Sequence, residues 1–188
     1  MRKQLFMAVA VTAVAMFAAF GPGLAAAATP TGVTDTISIQ DIKGKLKFVG
    51  PEAVHQGDQL EIVNETDPKK VGPHTFSLVT KSSLPKTPSA RKNCFTPKHI
   101  CLSISIWHGF DPKTEKISVN PAKAGAPGWS TLGSTTKKGD SWFTGEKKAG
   151  TSFSQEVSAD PATTPTIYFM CAIHPWMQGK VAVLPAGS

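Results

Sequence analysis

Near the C-terminus, Cys171-Ala-Ile-His-Pro-Trp-Met177 sits between two strand-like runs, Thr166-Ile-Tyr-Phe-Met170 and Lys180-Val-Ala-Val-Leu184. The spacing is Cys-x2-His-x2-Met, so one short loop carries a thiol, an imidazole and a thioether. Thiolate and thioether are soft donors that favour Cu(I), and imidazole serves both copper states. A trigonal His2Cys set with a long axial Met is an arrangement that suits one-electron copper chemistry. The loop supplies all of that set except one imidazole. His74, in Val71-Gly-Pro-His-Thr-Phe-Ser-Leu-Val-Thr80, opens an alternating run and supplies it. Any fold this chain adopts must therefore bring residue 74 against residue 171.

On these residues the chain resembles the cupredoxins, the blue copper proteins, and within them the amicyanin and plastocyanin-like members. Amicyanins carry a loop of the type Cys-Thr-Pro-His-Pro-Phe-Met-Arg-Gly-Lys-Val. Here the same stretch reads Cys171-Ala-Ile-His-Pro-Trp-Met-Gln-Gly-Lys-Val181. The short gap between His and Met is the discriminating feature. The resemblance spans Lys45 to Thr80 and Gly139 to Pro185. It implies a Greek-key β-sandwich, one copper ion held by His74, Cys171, His174 and Met177, and outer-sphere transfer of single electrons. It implies no enzyme activity. A copper storage or delivery protein would use the same ligands. The resemblance also implies an apolar patch around the second His where an electron crosses. Pro175 and Trp176 are expected in it, with Pro73 nearby. Thr75 departs from the family pattern, which often has Asn after the first His. Its shorter side chain is expected to tie the ligand loops less firmly, while its backbone N–H reaches the Cys171 sulfur.

The N-terminus reads as a targeting segment. Arg2 and Lys3 precede an apolar run from Leu5 to Phe20, and Ala25 to Ala28 offers small residues for cleavage. Removal of residues 1–28 leaves about 160 residues, 29–188, the size of a single domain. No later segment is apolar enough to span a bilayer. A secreted or periplasmic location follows from this reading. The chain carries a net charge of +7, which signal removal lowers by two. Its lysines are dispersed, without the basic helix or aromatic-basic stripe of a nucleic-acid binder. A positive surface would steer an acidic redox partner, and a monomer is expected.

The chain has three cysteines. In an oxidising compartment Cys94 and Cys101 can pair and leave Cys171 free. A bridge from either of them to Cys171, or three thiols, remain alternatives.

Between the ligand regions the chain alternates short apolar runs with Pro/Gly turns, the pattern of an all-β sandwich. Strands are expected at 36–40, 45–49, 59–64, 75–80, 102–107, 141–144, 152–158, 166–171 and 180–184. His55 to Asp58, Glu65 to Gly72 and Ser82 to Ala90 read as turn or loop. The stretch 81–150 is longer than an amicyanin would have and reads as an insertion in the same domain. His55, His99 and His108 are expected to serve surface or packing roles. Asn64-Glu-Thr66 matches a glycosylation sequon, with little weight given to modification.

Overall fold

The computed structural model describes residues 32–117, 122–145 and 150–188. The expected signal segment lies outside them. No described helix is long and apolar enough to cross a membrane.

The strands in chain order are β1 (Thr34–Ile42), β2 (Lys45–Val49), β3 (Ala53–His55), β4 (Gln59–Asn64), β5 (Thr75–Leu78), β6 (Phe110–Asp111), β7 (Lys116–Ile117), β8 (Lys123–Ala124), β9 (Ser141–Phe143), β10 (Ser152–Glu156), β11 (Thr166–Met170) and β12 (Gln178–Leu184). Among the described residues three short α-helices, α1 (Pro68–Val71), α2 (Pro88–Lys92) and α3 (Ile100–Trp107), and a 3-10 turn at Lys81–Ser83 interrupt them. Two sheets form the sandwich. One has the order β10-β4-β1-β2 and the other β3-β12-β11-β5-β9-β8. Each mixes directions: β1 runs parallel to β4, and β12 parallel to β3, while their other neighbours are antiparallel. The expected all-β sandwich is therefore what the chain forms.

The alternation of each strand decides what enters the core. Ile37 and Ile39 of β1 and Leu60 and Ile62 of β4 face Phe76 and Leu78 of β5, Ile167 and Phe169 of β11, and Val181 and Val183 of β12. Burying such side chains contributes roughly 1.5–3 kcal/mol each. Phe76 and Phe169 meet at 4.7 Å between ring centres with their planes tilted by 35°, and Phe48 closes on both edge-on. Trp129 fills the core beside Phe76 and donates its indole N–H to the Leu60 carbonyl at 3.0 Å.

The stretch 81–150 is only in part a detour. Its second half supplies β8 and β9, which extend the larger sheet, and Trp129 and Trp142, which enter the core. The first half folds over the outer face of that sheet. There Ile100, Cys101, Ile104 and Trp107 of α3 pack on Val79, Ala124, Met170 and Ala172. The expected strand over 102–107 is a helix. Leu-Ser-Ile-Ser-Ile alternates by two, but the buried positions 100, 101, 104 and 107 follow the helical stripe. Ser103 and Ser105 also return their hydroxyls to the carbonyls four residues back, the way serines fit inside helices. Cys94 and Cys101 are bridged, which pins α3 to the turn after α2 and leaves Cys171 as the free, buried thiol.

Smaller differences have local causes. The expected turn at His55 is preceded by strand β3, because Ala53 to His55 find the edge of β12. The polar loop 65–72 contains α1, capped by the Asp67 side chain on the Lys69 N–H with Pro68 in the first turn. In the loop 82–90, Thr87 caps α2 in the same way, through the Ala90 N–H.

Candidate metal centre

His74 sits where β5 begins, held from both sides. Its N–H donates to the Thr144 hydroxyl at 2.9 Å, and its carbonyl accepts the Thr144 N–H at 3.0 Å. Gly72 ends α1 with φ of 79°, a conformation that suits glycine, and turns the chain into Pro73 and His74. Cys171 follows the last residue of β11. The loop after it closes on itself: the Met177 N–H donates to the His174 carbonyl at 2.8 Å, and the Cys171 N–H to the Met177 carbonyl at 3.0 Å. Gln178 adds a side-chain bond to the Pro175 carbonyl at 2.6 Å.

These anchors bring His74, Cys171 and His174 together as a possible metal site. Cys171 Sγ lies 3.9 Å from His74 Nδ1 and 3.7 Å from His174 Nδ1, and the two nitrogens are 3.2 Å apart. A point equidistant from the three atoms lies about 2.1 Å from each, inside the range of roughly 2.0–2.3 Å for metal–nitrogen and metal–sulfur bonds. Met177 is buried in the same cluster as Cys171.

The sulfur is surrounded by donors. The N–H groups of Thr75 and His174 each lie 3.4 Å from it. The first of these is the contact expected from the sequence. Burial dominates, however, and pushes the Cys171 thiol up, with those hydrogen bonds working against it. His74 is pushed down to about 4, first by burial and then by the neighbouring His174. His174 is also lowered, by burial, while a hydrogen bond to the Val71 carbonyl favours its charged form. At neutral pH the pocket thus presents two neutral imidazoles and a thiol.

The tautomer of His74 follows from a contact no motif announced. The Thr66 hydroxyl donates to Asn64 Oδ1 at 2.7 Å, so its oxygen accepts from His74 Nε2 at 3.0 Å. The proton is on Nε2, and Nδ1 keeps its lone pair toward Cys171. Metal-ligating histidines characteristically donate their second N–H in this manner. The apparent sequon is this support: Asn64 and Thr66 are buried. The Thr, two residues past a strand end and eight before His74, was the only signal for it.

Thr75 ties the loops more firmly than its size suggests. Its hydroxyl accepts the Ala172 N–H at 2.8 Å, so one residue links the His74 strand to the Cys171 loop by both backbone and side chain. Trp176 is 53 % exposed, with its ring edge-on to His174 at 5.2 Å. Pro175 is buried, because it forms the inside of the tight turn between His174 and Met177, so it is not surface beside Trp176. Pro73 is half-buried. His55 faces Asp58 at 3.4 Å, and His99 is exposed against Thr96, both away from the site.

No protein-family model matches this chain, and no curated protein matches it. The site therefore stands on its own residues.

Proposed function

We propose that this protein is a secreted type 1 copper protein of the cupredoxin kind, carrying single electrons between redox partners. The observation that supports it most is the shared centre about 2.1 Å from Sγ of Cys171 and Nδ1 of His74 and His174, a distance that fits ligand bonds. The donor set favours copper as the metal. Two imidazoles and a thiolate with a nearby thioether suit copper, whereas structural zinc sites take four strong Cys or His donors. In this reading His74 and His174 would hold the ion through Nδ1 and Cys171 through its thiolate, with the Met177 thioether as a further, weaker donor. When bound, a copper ion would supply a one-electron couple.

The residues around the ligands suit that task. Rigid anchoring keeps both oxidation states in one geometry, and here Thr144, Thr66 and Thr75 each restrain a ligand region by hydrogen bonds. Trp176 beside half-buried His174 is the route by which an electron reaches the surface. The lysines of a basic chain steer an acidic partner toward it. A cleaved signal segment and the Cys94–Cys101 bridge both fit an oxidising, extracytoplasmic setting.

The test is to add Cu(II) to the purified mature chain and record the visible spectrum. An intense sulfur-to-copper charge-transfer band that disappears in Cys171→Ser is the expected result. A colourless, copper-replete wild type under oxidising conditions would overturn the assignment. Fast electron self-exchange marks a carrier; slow exchange with ready loss of copper to an acceptor marks a delivery protein instead.

A further inference from the structure

A line of buried polar side chains runs along the outer face of the larger sheet, beneath the helical cover, and ends at the ligand loop. His108 Nε2 lies 2.8 Å from the Ser141 hydroxyl on β9. Ser141 lies 2.7 Å from the Ser77 hydroxyl on β5. Ser77 donates to the Thr75 hydroxyl at 2.9 Å, and Thr75 accepts the Ala172 N–H at 2.8 Å. All of these side chains are buried. Ser77 and Ser141 sit opposite one another in the β5–β9 ladder, which is why their hydroxyls meet.

Counting donors fixes the direction of the whole line. A hydroxyl has one proton and two lone pairs. Thr75 fills its lone pairs with Ser77 O–H and Ala172 N–H, and its backbone N–H lies 3.4 Å from Cys171 Sγ. Ser77 has spent its proton on Thr75, so it accepts from Ser141. Ser141 has then spent its own, so it accepts from His108, which donates at Nε2. Every step points the same way, toward Thr75.

We propose that His108, Ser141 and Ser77 are positioning residues of the metal centre, forming a one-way hydrogen-bond relay that ends on Thr75 and holds its backbone N–H against Cys171 Sγ. Aligned hydrogen bonds strengthen one another, so the relay fixes Thr75 and with it the backbone N–H on the sulfur. A donor held there draws electron density from a thiolate and makes it a poorer partner for the more oxidised state of an ion. The helical cover that carries His108 is fastened at both ends. His108 caps the C-terminus of α3, its N–H reaching the carbonyls of Ile104 and Ser105, and the Cys94–Cys101 bridge holds the other end. The relay's existence does not depend on which metal binds; its effect on the potential rests on the copper reading above.

The experiment has two arms, on Ser141→Ala, His108→Phe and His108→Gln, the last retaining a donor where the imidazole Nε2 stood. In the metal-free protein, proton NMR should show the Thr75 hydroxyl and Ala172 amide signals shifting in the first two variants and returning in His108→Gln. In the copper-loaded protein, Ser141→Ala should change the ratio of affinities for Cu(II) and Cu(I) about tenfold toward Cu(II), a potential lower by about 59 mV. The charge-transfer band should move to lower energy, again with recovery in His108→Gln. Unchanged signals in the metal-free arm would overturn the relay. Shifted signals with an unmoved potential and band would overturn its action on the sulfur. If no copper is taken up, the copper reading fails, and the metal-free arm still decides the relay.

Discussion

Thr66 Oγ1 lies 3.0 Å from Nε2 of His74, and this contact decides which ring nitrogen faces Cys171. A neutral imidazole has two tautomers, and only one leaves Nδ1 free to bind. The Asn64–Thr66 pair selects it from the far side of the ring, before any metal arrives. Thr66→Val keeps the shape and removes the acceptor. It should lower metal affinity by roughly 10–100-fold, the usual effect of losing a ligand's supporting partner. It should also cost about 1–3 kcal/mol by leaving a buried N–H unpaired. Competition titration and chemical denaturation read the two effects, and an unchanged affinity would remove Thr66 from the site.

Metal uptake near neutral pH should release about one proton per ion, from Cys171. Its thiol is raised by burial, so it enters binding protonated, while His74 at about 4 has no proton to lose. The apparent affinity should fall about tenfold per pH unit as pH drops, and more steeply once His74 begins to protonate. Proton release measured in weak buffer checks this, with Cys171→Ser as the control that abolishes it. Release of two protons at pH 7 would contradict the neutral state of the imidazoles.

The metal-free protein should lose stability in mild acid. His74 falls from an ordinary 6.5 to about 4 in the folded chain, so the folded state holds fewer protons than the unfolded state between those values. Stability is then fully present above about pH 6.5 and declines as pH falls toward 4. His174, lowered in the same direction, adds to the decline. Denaturation midpoints at a series of pH values give the slope, which should flatten in His74→Phe and vanish from this range when metal is bound.

Opening the Cys94–Cys101 bridge should destabilise the chain without dismantling the ligand set. The bridge spans a sequence separation of 7, for which loop entropy gives about 2–3 kcal/mol. It holds the cover over Met170 and Ala172, not a ligand itself. Cys94→Ala with Cys101→Ala should lower the melting temperature by several degrees yet keep Cys171 able to bind. A paired variant that loses metal binding while still folded would show that the cover shapes the site.

Trp176→Ala should leave metal affinity near wild type, since the indole touches His174 only edge-on and is half in solvent. Exchange of electrons with a partner or with a second copy should slow, because the exposed ring is the apolar contact beside the ligand. Stopped-flow mixing of oxidised and reduced protein measures this, and an unchanged rate would move the crossing point elsewhere.

The strands were readable because a strand with one buried face repeats every second residue. Lys45–Val49 and Gln59–Asn64 occupy the expected bounds. The same period misled at Leu102 to Trp107, where alternating serines hid a helical stripe that begins at Ile100 and Cys101. Alternation cannot distinguish the two until a neighbour decides which face is buried. In this case that neighbour is the outer surface of a sheet assembled from residues 79, 124, 170 and 172. The placing of Pro175 failed for a related reason: adjacency to Trp176 in sequence says nothing about which side of a tight turn faces water.

Local chemistry alone named the ligand candidates, since the donor types and the Cys-x2-His-x2-Met spacing belong to one short segment, and His74 was the partner it lacked. What surrounds them was decided by the fold. Asn64, Thr66, Ser77, His108 and Ser141 look like ordinary strand, turn and loop residues, and they acquire roles only where the sheets set them within hydrogen-bond reach. A ligand is recognised by what its atoms are, whereas a supporting residue is recognised by where its atoms are, and only packing across long sequence distances supplies that.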